Sequence, residues 1–399
     1  MFDRSFIVLE LANILAGPLT TMSFAELGAR VIKLENPRTQ GDATRGWKLV
    51  SEPRDTDISA YFACANWGKE SLACNYMKPA GLEVAHALVR RADIVVASFK
   101  PGDEIKLKLD YATLAAINPR LIYGQITAYG PDDPRPGFDA ILQAESGFTF
   151  LNGEPDGPPT KMPVALVDIL LAHQLKQGLL LALLKRERTG QGSLVTTSLL
   201  EAGVASLANQ ATNYLVADTV PQRMGSEHPN IVPYGSILEC RDGRELVIAA
   251  ATERQYRELV RALGLPELAE DPKFATGQQR VERRTELLDR IRTQAAKIKS
   301  DELARRFEAA KVPYGFVNDM AAVFEQPGAR HLLLESECDG RLLRGVRTVA
   351  LGGDAAVLST PEPPPHFHQH AESILRDFLG YDAAEIERLG TAGAFGDAA

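Results

Sequence analysis

The sequence predicts an α/β protein of two domains, and three observations carry that reading. Short β-rich runs alternate with helical patterns over the first two hundred residues, and such alternation builds βαβ units and a mostly parallel sheet. At 399 residues the chain is too long for one ordinary core. After about residue 205 a Pro-, Gly- and polar-rich stretch, VADTVPQRMGSEHPNIVPYGSI, leads into a block dominated by helical patterns.

The elements follow in order. FIVLEL is a strand, and GPLTTMSFAELG is a helix closed by Gly28. RVIKLEN is a second strand, GLEVAHALVRRA a helix, DIVVASF a third strand, and RLIYGQITAYG a fourth that ends in glycine. The loops LANILAGP, ENPRTQGD and SFKPGDE then lie at the carboxyl ends of strands, where parallel sheets bind ligands. Further on, ILLAHQLKQGLLLALLKRERTGQG has the apolar spacing of a long helix that ends in a basic KRER turn and Gly190. ECRDGRELVIAA reads as a hairpin turning at Asp242-Gly243. TERQYRELVRALG, TGQQRVERRTELLDRIRTQAAKI and SDELARRFEAAK read as helices, each with a polar N-cap candidate. The tail contains PEPPPHFHQH, too proline-rich for regular structure, and closes with a short helical pattern. A large domain is therefore expected at 1–205 and 325–399, a small α+β domain at 225–315, and linkers at 206–224 and 316–324.

Hydrophobic content of 45% and charged content of 24% suit a soluble globular protein. A net charge of −8 argues against a nucleic-acid or anionic-membrane partner. Cys64, Cys74, Cys240 and Cys338 form no CxxC pair, as in a reducing cytosol. The opening MFDRSFIVLEL is charged too early for a secretory signal. The longest apolar stretch, ILLAHQLKQGLLLALL, reads as broken by His173, Lys176 and Gln177 rather than as a membrane span. Together these indicate a cytoplasmic protein.

One carboxylate stands out. Asp168 lies in PVALVDILLAHQ, an apolar run with no adjacent Lys or Arg, and a buried carboxylate is costly unless paired, hydrogen-bonded or needed for chemistry. It falls at or near the N-cap of the long helix, where capping is the ordinary role. The same position favours its anion, and an ionised carboxylate can act as a nucleophile without a general base. His366, His368 and His370 alternate in HFHQH, but no partner cysteine or carboxylate cluster accompanies them, so no metal site is assigned. Neither GxGxxG, GxxxxGKS nor GxSxG occurs. Arg38, Arg45, Lys100 and Lys106 follow strands and together suit a phosphorylated ligand.

The order of motifs resembles the family III CoA-transferases. VLELANILAGPLTTMSFAELGARVIKLENPRTQGDATR carries the opening, followed by NWGKESL, ADIVVASFKPG, NPRLIYGQITAYG, PGFDAILQAESG and RTGQGSLVTTSLLEA. DPKFAT, VPYGFVNDM and HQH complete a series that spans nearly the whole chain. The resemblance implies a Rossmann-like large domain built from both termini, a smaller middle domain, and two subunits interlocked as a homodimer. It makes Asp168 the nucleophile that forms an aspartyl-CoA thioester, with the acyl-CoA as substrate and no permanently bound cofactor. CoA contacts carry over to Leu15, Ala16, Asn75, Ser98, Phe99, Lys100 and Lys106, with Phe138 and Asp139 beside the reacting thioester. Arg38 is added for a CoA phosphate on its charge. The family's asparagine is Ser98 here, its NRGK is NWGK at Trp67, and its arginine is Lys106, which loses bidentate phosphate geometry. The glycine-rich loop of formyl-CoA transferases is replaced by VIAAATERQY, which disfavours oxalate or formate.

GSEHPNIVPYGS resembles glutarate and related dicarboxylate CoA-transferases that use succinyl-CoA. Arg223, His228 and Tyr234 are the candidates for the acid's distal carboxylate, and itaconate, mesaconate, citramalate or glutarate the candidate acceptors. The alternatives are an α-methylacyl-CoA racemase, whose GHD motif is GFD here with Phe138 unable to accept a proton, and a non-catalytic CoA-binding module.

Overall fold

A computed structural model describes residues 2–354 and 357–396 of the chain. The chain divides into two compact units: 1–146, 163–207 and 331–399 form the first, and Gly147–Met162 with Ala208–Arg330 form the second.

The first unit is built on six strands: β1 (Ile7–Leu11), β2 (Arg30–Glu35), β3 (Lys69–Ala73), β4 (Ile94–Ala97), β5 (Ile122–Thr127) and β6 (Ser193–Ser198). All pair in parallel, in the order β3-β2-β1-β4-β5-β6. That is the Rossmann order, and the predicted α/β class is what the structure has. Its strand order reverses between β1 and β4, the point at which such sheets bind ligands. The central strands β1 and β4 are buried along their whole length, as expected where helices cover both faces.

Two strands escaped the sequence reading. β3, KESLA, lacks an apolar run, yet all five residues are buried because its charges are neutralised inside: Lys69 Nζ lies 2.7 Å from Glu10, and Ser71 Oγ donates to Glu35 at 2.6 Å. β6, SLVTTS, is an edge strand with alternate residues exposed.

Helices α1 (Ala16–Glu26), α2 (Asp139–Glu145), α3 (Leu166–Thr189) and α4 (Leu199–Ala205) belong to the same unit. His173, Lys176 and Gln177 do not interrupt α3, which by length and composition alone could cross a membrane. Here Leu171, Leu175 and Leu179 are buried. Gly178 lets α3 lie close on β6, since a Cβ there would stand 2.6 Å from the Val195 side chain. On the other side Leu180, Leu181 and Leu184 remain exposed, Leu181 by 67%.

An unpredicted hairpin, β7 (Leu333–Cys338) with β8 (Arg341–Val346), turns at Asp339-Gly340, both at positive φ. The tail beyond it has no regular structure over 357–366, as its prolines require, and it runs along β3. Ser71 and Ala73 donate their backbone N–H groups to the Nδ1 atoms of His370 (3.3 Å) and His368 (2.9 Å). Burial holds both imidazoles below their ordinary pKa, in the neutral form that can accept.

The second unit contains the expected hairpin around Asp242-Gly243, formed by Tyr234–Glu239 and Glu245–Ala249, with Tyr314–Phe316 as third strand. Asp242 also accepts from Ser300 N–H at 3.1 Å, at the start of the helix Ser300–Ala310. The single helix expected over 276–298 is two, Gly277–Glu282 and Arg284–Ala295. Arg280 is buried there, where it pairs with Glu253 at 2.7 Å and donates to the carbonyls of Val232 and Phe274. Residues 147–162, read in sequence as part of the large domain, go with this unit: Gly225 N–H donates to Gly153 O at 3.0 Å, and Arg223 to Phe150 O at 3.1 Å.

Candidate active site

At the strand-order reversal lies a cavity of about 240 Å³. The loop after β1 lines it with Asn13, Ile14, Leu15 and Ala16, and the loop after β4 with Ser98, Phe99 and Lys100. Arg135, Phe138, Asp139 and Asp168 complete the wall. Eight residues singled out in the sequence therefore meet in one place: Leu15, Ala16, Ser98, Phe99, Lys100, Phe138, Asp139 and Asp168. Arg38 sits in an exposed turn, and Lys106 is exposed and paired with Asp103 at 2.8 Å. Asn75 is 2% exposed and does not reach the cavity.

Asp168 is not the cap of its helix. The N-cap of α3 is Ala165 and Asp168 is the third helical residue. The capping role has passed to Asp139, whose Oδ1 accepts the Val167 N–H at 2.8 Å while Oδ2 accepts from Gln143 Nε2 at 2.7 Å. Two carboxylates thus share one helix end, and the one that caps leaves the other bare. Asp168 is 9% exposed, and no hydrogen-bond donor among the described residues reaches its carboxyl. Burial first, and the Asp139 charge second, push it from its ordinary 3.8 up to about 7. The position that sequence reasoning took to favour the anion therefore disfavours it, which makes the carboxylate a more basic nucleophile.

The β1 loop is fixed from beneath. Ile14 has φ +71, a left-handed conformation that β-branched residues avoid. Its N–H donates to Asp42 at 3.1 Å, and Asp42 pairs with Lys33 at 2.9 Å. Lys33 reaches Glu10 at 2.5 Å, and Glu10 reaches Lys69 at 2.7 Å. All four side chains are buried. Lys33 faces the carboxylates of Glu10, Asp42 and Glu35 and is held above its ordinary pKa despite burial. Burial dominates at Lys69, which falls to about 8. Above this network α1 begins without a side-chain cap, and no acceptor among the described residues takes the N–H of Ala16 or Gly17. Those two groups line the cavity and can hold a developing oxyanion.

Sequence reasoning missed Arg135, which stacks 3.8 Å over Tyr129 and pairs with Asp133 at 2.8 Å. It also missed Tyr61, pushed up to about 12 mainly by burial, with the charges of Asp168 and Asp139 among the further causes. Neither belongs to a motif with a spacing rule. In the second unit His228 packs edge-on against Tyr234 at 5.3 Å, whereas Arg223 lies against Phe150.

Comparison with known proteins gives this arrangement its context. The chain is 36% identical over 393 residues to the succinate–glutarate CoA-transferase of Agrobacterium fabrum, covering 96% of each. It is 35% identical to the succinyl-CoA:mesaconate CoA-transferase of Haloarcula marismortui, covering 94% of this chain and 96% of that one. A solved CAIB/BAIF family protein from Brucella suis superposes with a TM-score of 0.80 at 36% identity, covering 94% of this chain and 98% of that one. The CoA-transferase family III model matches residues 5–371, which span every element that builds the cavity. A family match of that extent, around a bare aspartate at the strand-order reversal, makes the chain an enzyme of CoA-transferase family III.

Proposed function

We propose that the protein moves CoA from succinyl-CoA to a second dicarboxylic acid through an aspartyl-CoA thioester at Asp168. The observation that carries this reading is Asp168 itself, buried, without a hydrogen-bond donor, and set beside unused N–H groups of α1. Its carboxylate attacks the thioester carbonyl; the C–S bond breaks, giving a mixed anhydride and CoA thiolate. The thiolate then attacks the aspartyl carbonyl, forming the enzyme thioester and releasing succinate. The acceptor carboxylate reverses both steps and leaves as acyl-CoA, with Asp168 restored. Both intermediates hydrolyse readily, so a buried site protects them.

The cavity residues suit the reacting end of CoA, and exposed Arg38 and Lys106 suit its phosphates. Arg223, His228 and Tyr234 are proposed for the distal carboxylate of the acid. The relatives' acids, glutarate and mesaconate, support a dicarboxylic acid as acceptor. Incubation with succinyl-CoA and a panel of mono- and dicarboxylic acids, read by mass spectrometry, is expected to yield dicarboxylyl-CoA products. Transfer confined to monocarboxylates would overturn the substrate assignment, and absence of any transfer would overturn the reaction.

We also infer a homodimer. A second copy would cover the exposed Leu180, Leu181 and Leu184 of α3, and so large an apolar strip is unusual on a monomer surface. Light scattering should give twice the 43.4 kDa chain mass, and a single-chain mass at micromolar concentration would refute the inference.

A further inference from the structure

His366, His368 and His370 are adjacent in sequence but do different work. The second and third cap the edge of β3, while His366 turns to the β7–β8 hairpin. There the structure supplies the partners that the sequence lacked. Cys338 Sγ, a carboxylate oxygen of Asp339 and a ring nitrogen of His366 all lie within 4.8 Å of one another. Nitrogen, sulfur and oxygen in one cluster form a donor set for zinc-class cations rather than calcium or magnesium.

A second observation concerns the far side of the ring. His366 Nδ1 lies 2.5 Å from Asp57 Oδ1. Asp57 is itself fixed, since its Oδ2 accepts the Phe367 N–H at 2.7 Å and pairs with Arg45 at 3.0 Å. A carboxylate behind an imidazole orients metal-binding histidines, because it holds the proton on one nitrogen and turns the other lone pair to the metal. Here the other nitrogen, Nε2, is hydrogen-bonded to Asp339 Oδ1 at 3.0 Å, so the ring already points at a second member of the cluster. A cavity of about 350 Å³ lined by Cys338, Asp339, Thr56 and Cys64 adjoins the cluster and leaves room for a further ligand such as water.

We propose that Cys338, Asp339 and His366 bind a zinc-class divalent cation, with Asp57 orienting the His366 ring. On binding, the Cys338 thiol loses its proton to solvent and coordinates as thiolate. His366 releases its Nε2 proton to solvent and coordinates through that nitrogen while its Nδ1–H stays hydrogen-bonded to Asp57, and Asp339 turns from Nε2 to the metal. Zinc bonds of roughly 2.0–2.3 Å set donors somewhat under 4 Å apart, so the cluster closes by about an ångström. The cation would pin the hairpin turn to the tail that runs along β3.

The test uses the full-length protein after chelator treatment, titrated with Zn²⁺ by calorimetry and with Co²⁺ by absorption. One cation per chain is expected, with a thiolate-to-cobalt charge-transfer band. Cys338→Ser should remove the band, Asp57→Asn should weaken zinc binding about 10–100-fold, and Cys64→Ser should leave both intact. No stoichiometric uptake, a cobalt spectrum without the band, or Cys338→Ser binding like wild type would overturn the site. His366 would then be an imidazolium clamped between Asp57 and Asp339.

Discussion

Asp168→Asn is expected to lower CoA transfer by roughly 10⁴-fold or more, because loss of a covalent nucleophile leaves only binding and orientation. Acid-quenched wild type incubated with succinyl-CoA should gain the mass of CoA less water, and the variant should not. A variant that still acquires this adduct would place the nucleophile elsewhere. The raised carboxyl adds a second expectation. Attack requires the anion, so kcat/KM should fall below a midpoint near 7, and Asp139→Asn should move that midpoint down by removing the neighbouring charge. Stability should respond in the opposite sense. An aspartate whose native pKa exceeds its unfolded value destabilises the fold as pH rises from about 4 to 7. The shift from 3.8 to about 7 corresponds to roughly 4 kcal/mol at and above neutrality. Asp168→Asn escapes this cost, so its Tm advantage should grow across that window and level off above it. A Tm difference independent of pH would refute the raised value.

The other large effect is expected at Lys33. Lys33→Met leaves Glu10 with one lysine and Asp42 with none, all of them buried. Removing one partner of a buried ion pair costs about 3–5 kcal/mol, and denaturant unfolding followed by fluorescence will measure it. Lys69→Met should cost less, because Lys69 faces two carboxylates, Glu10 and Asp42, rather than three, and burial has already lowered it to about 8, so its charge is held less firmly than that of Lys33. Equal losses would mean that the two lysines are interchangeable. Lys33→Met should also raise KM for the acyl-CoA, since Asp42 then holds the Ile14 loop without its counter-ion.

The parallel sheet was legible because β1, β2, β4 and β5 are short runs rich in Ile, Val and Leu beside helices of ordinary spacing, even where a single charged or polar residue such as Glu10, Lys33 or Gln125 falls within them. β3 was not, because its lysine and serine are satisfied by residues far along the chain, and pairing at a distance leaves no local pattern. The β7–β8 hairpin was hidden for a similar reason: its strands alternate weakly and its Asp-Gly turn stands among other polar residues. At the site, spacing found Asp168 and its helix but assigned the cap to the wrong aspartate. Asp139 reaches the end of α3 from 28 residues away in sequence, a contact no window contains. The zinc-type cluster was invisible for the same reason, since Cys338 and His366 meet only once the hairpin has formed.

The tail along β3 also sets a schedule for synthesis. The N–H groups of Ser71 and Ala73 emerge from the ribosome early, but the imidazoles that take them are made almost three hundred residues later. At roughly 5–20 residues per second that interval lasts about 15–60 s. Throughout it the nascent sheet presents a bare edge, the kind of surface that recruits foreign strands. A ribosome stalled before His368 should therefore display an amino-terminal unit that chaperones hold, whereas the full-length chain, once released with His368 and His370 free to reach β3, should no longer be held.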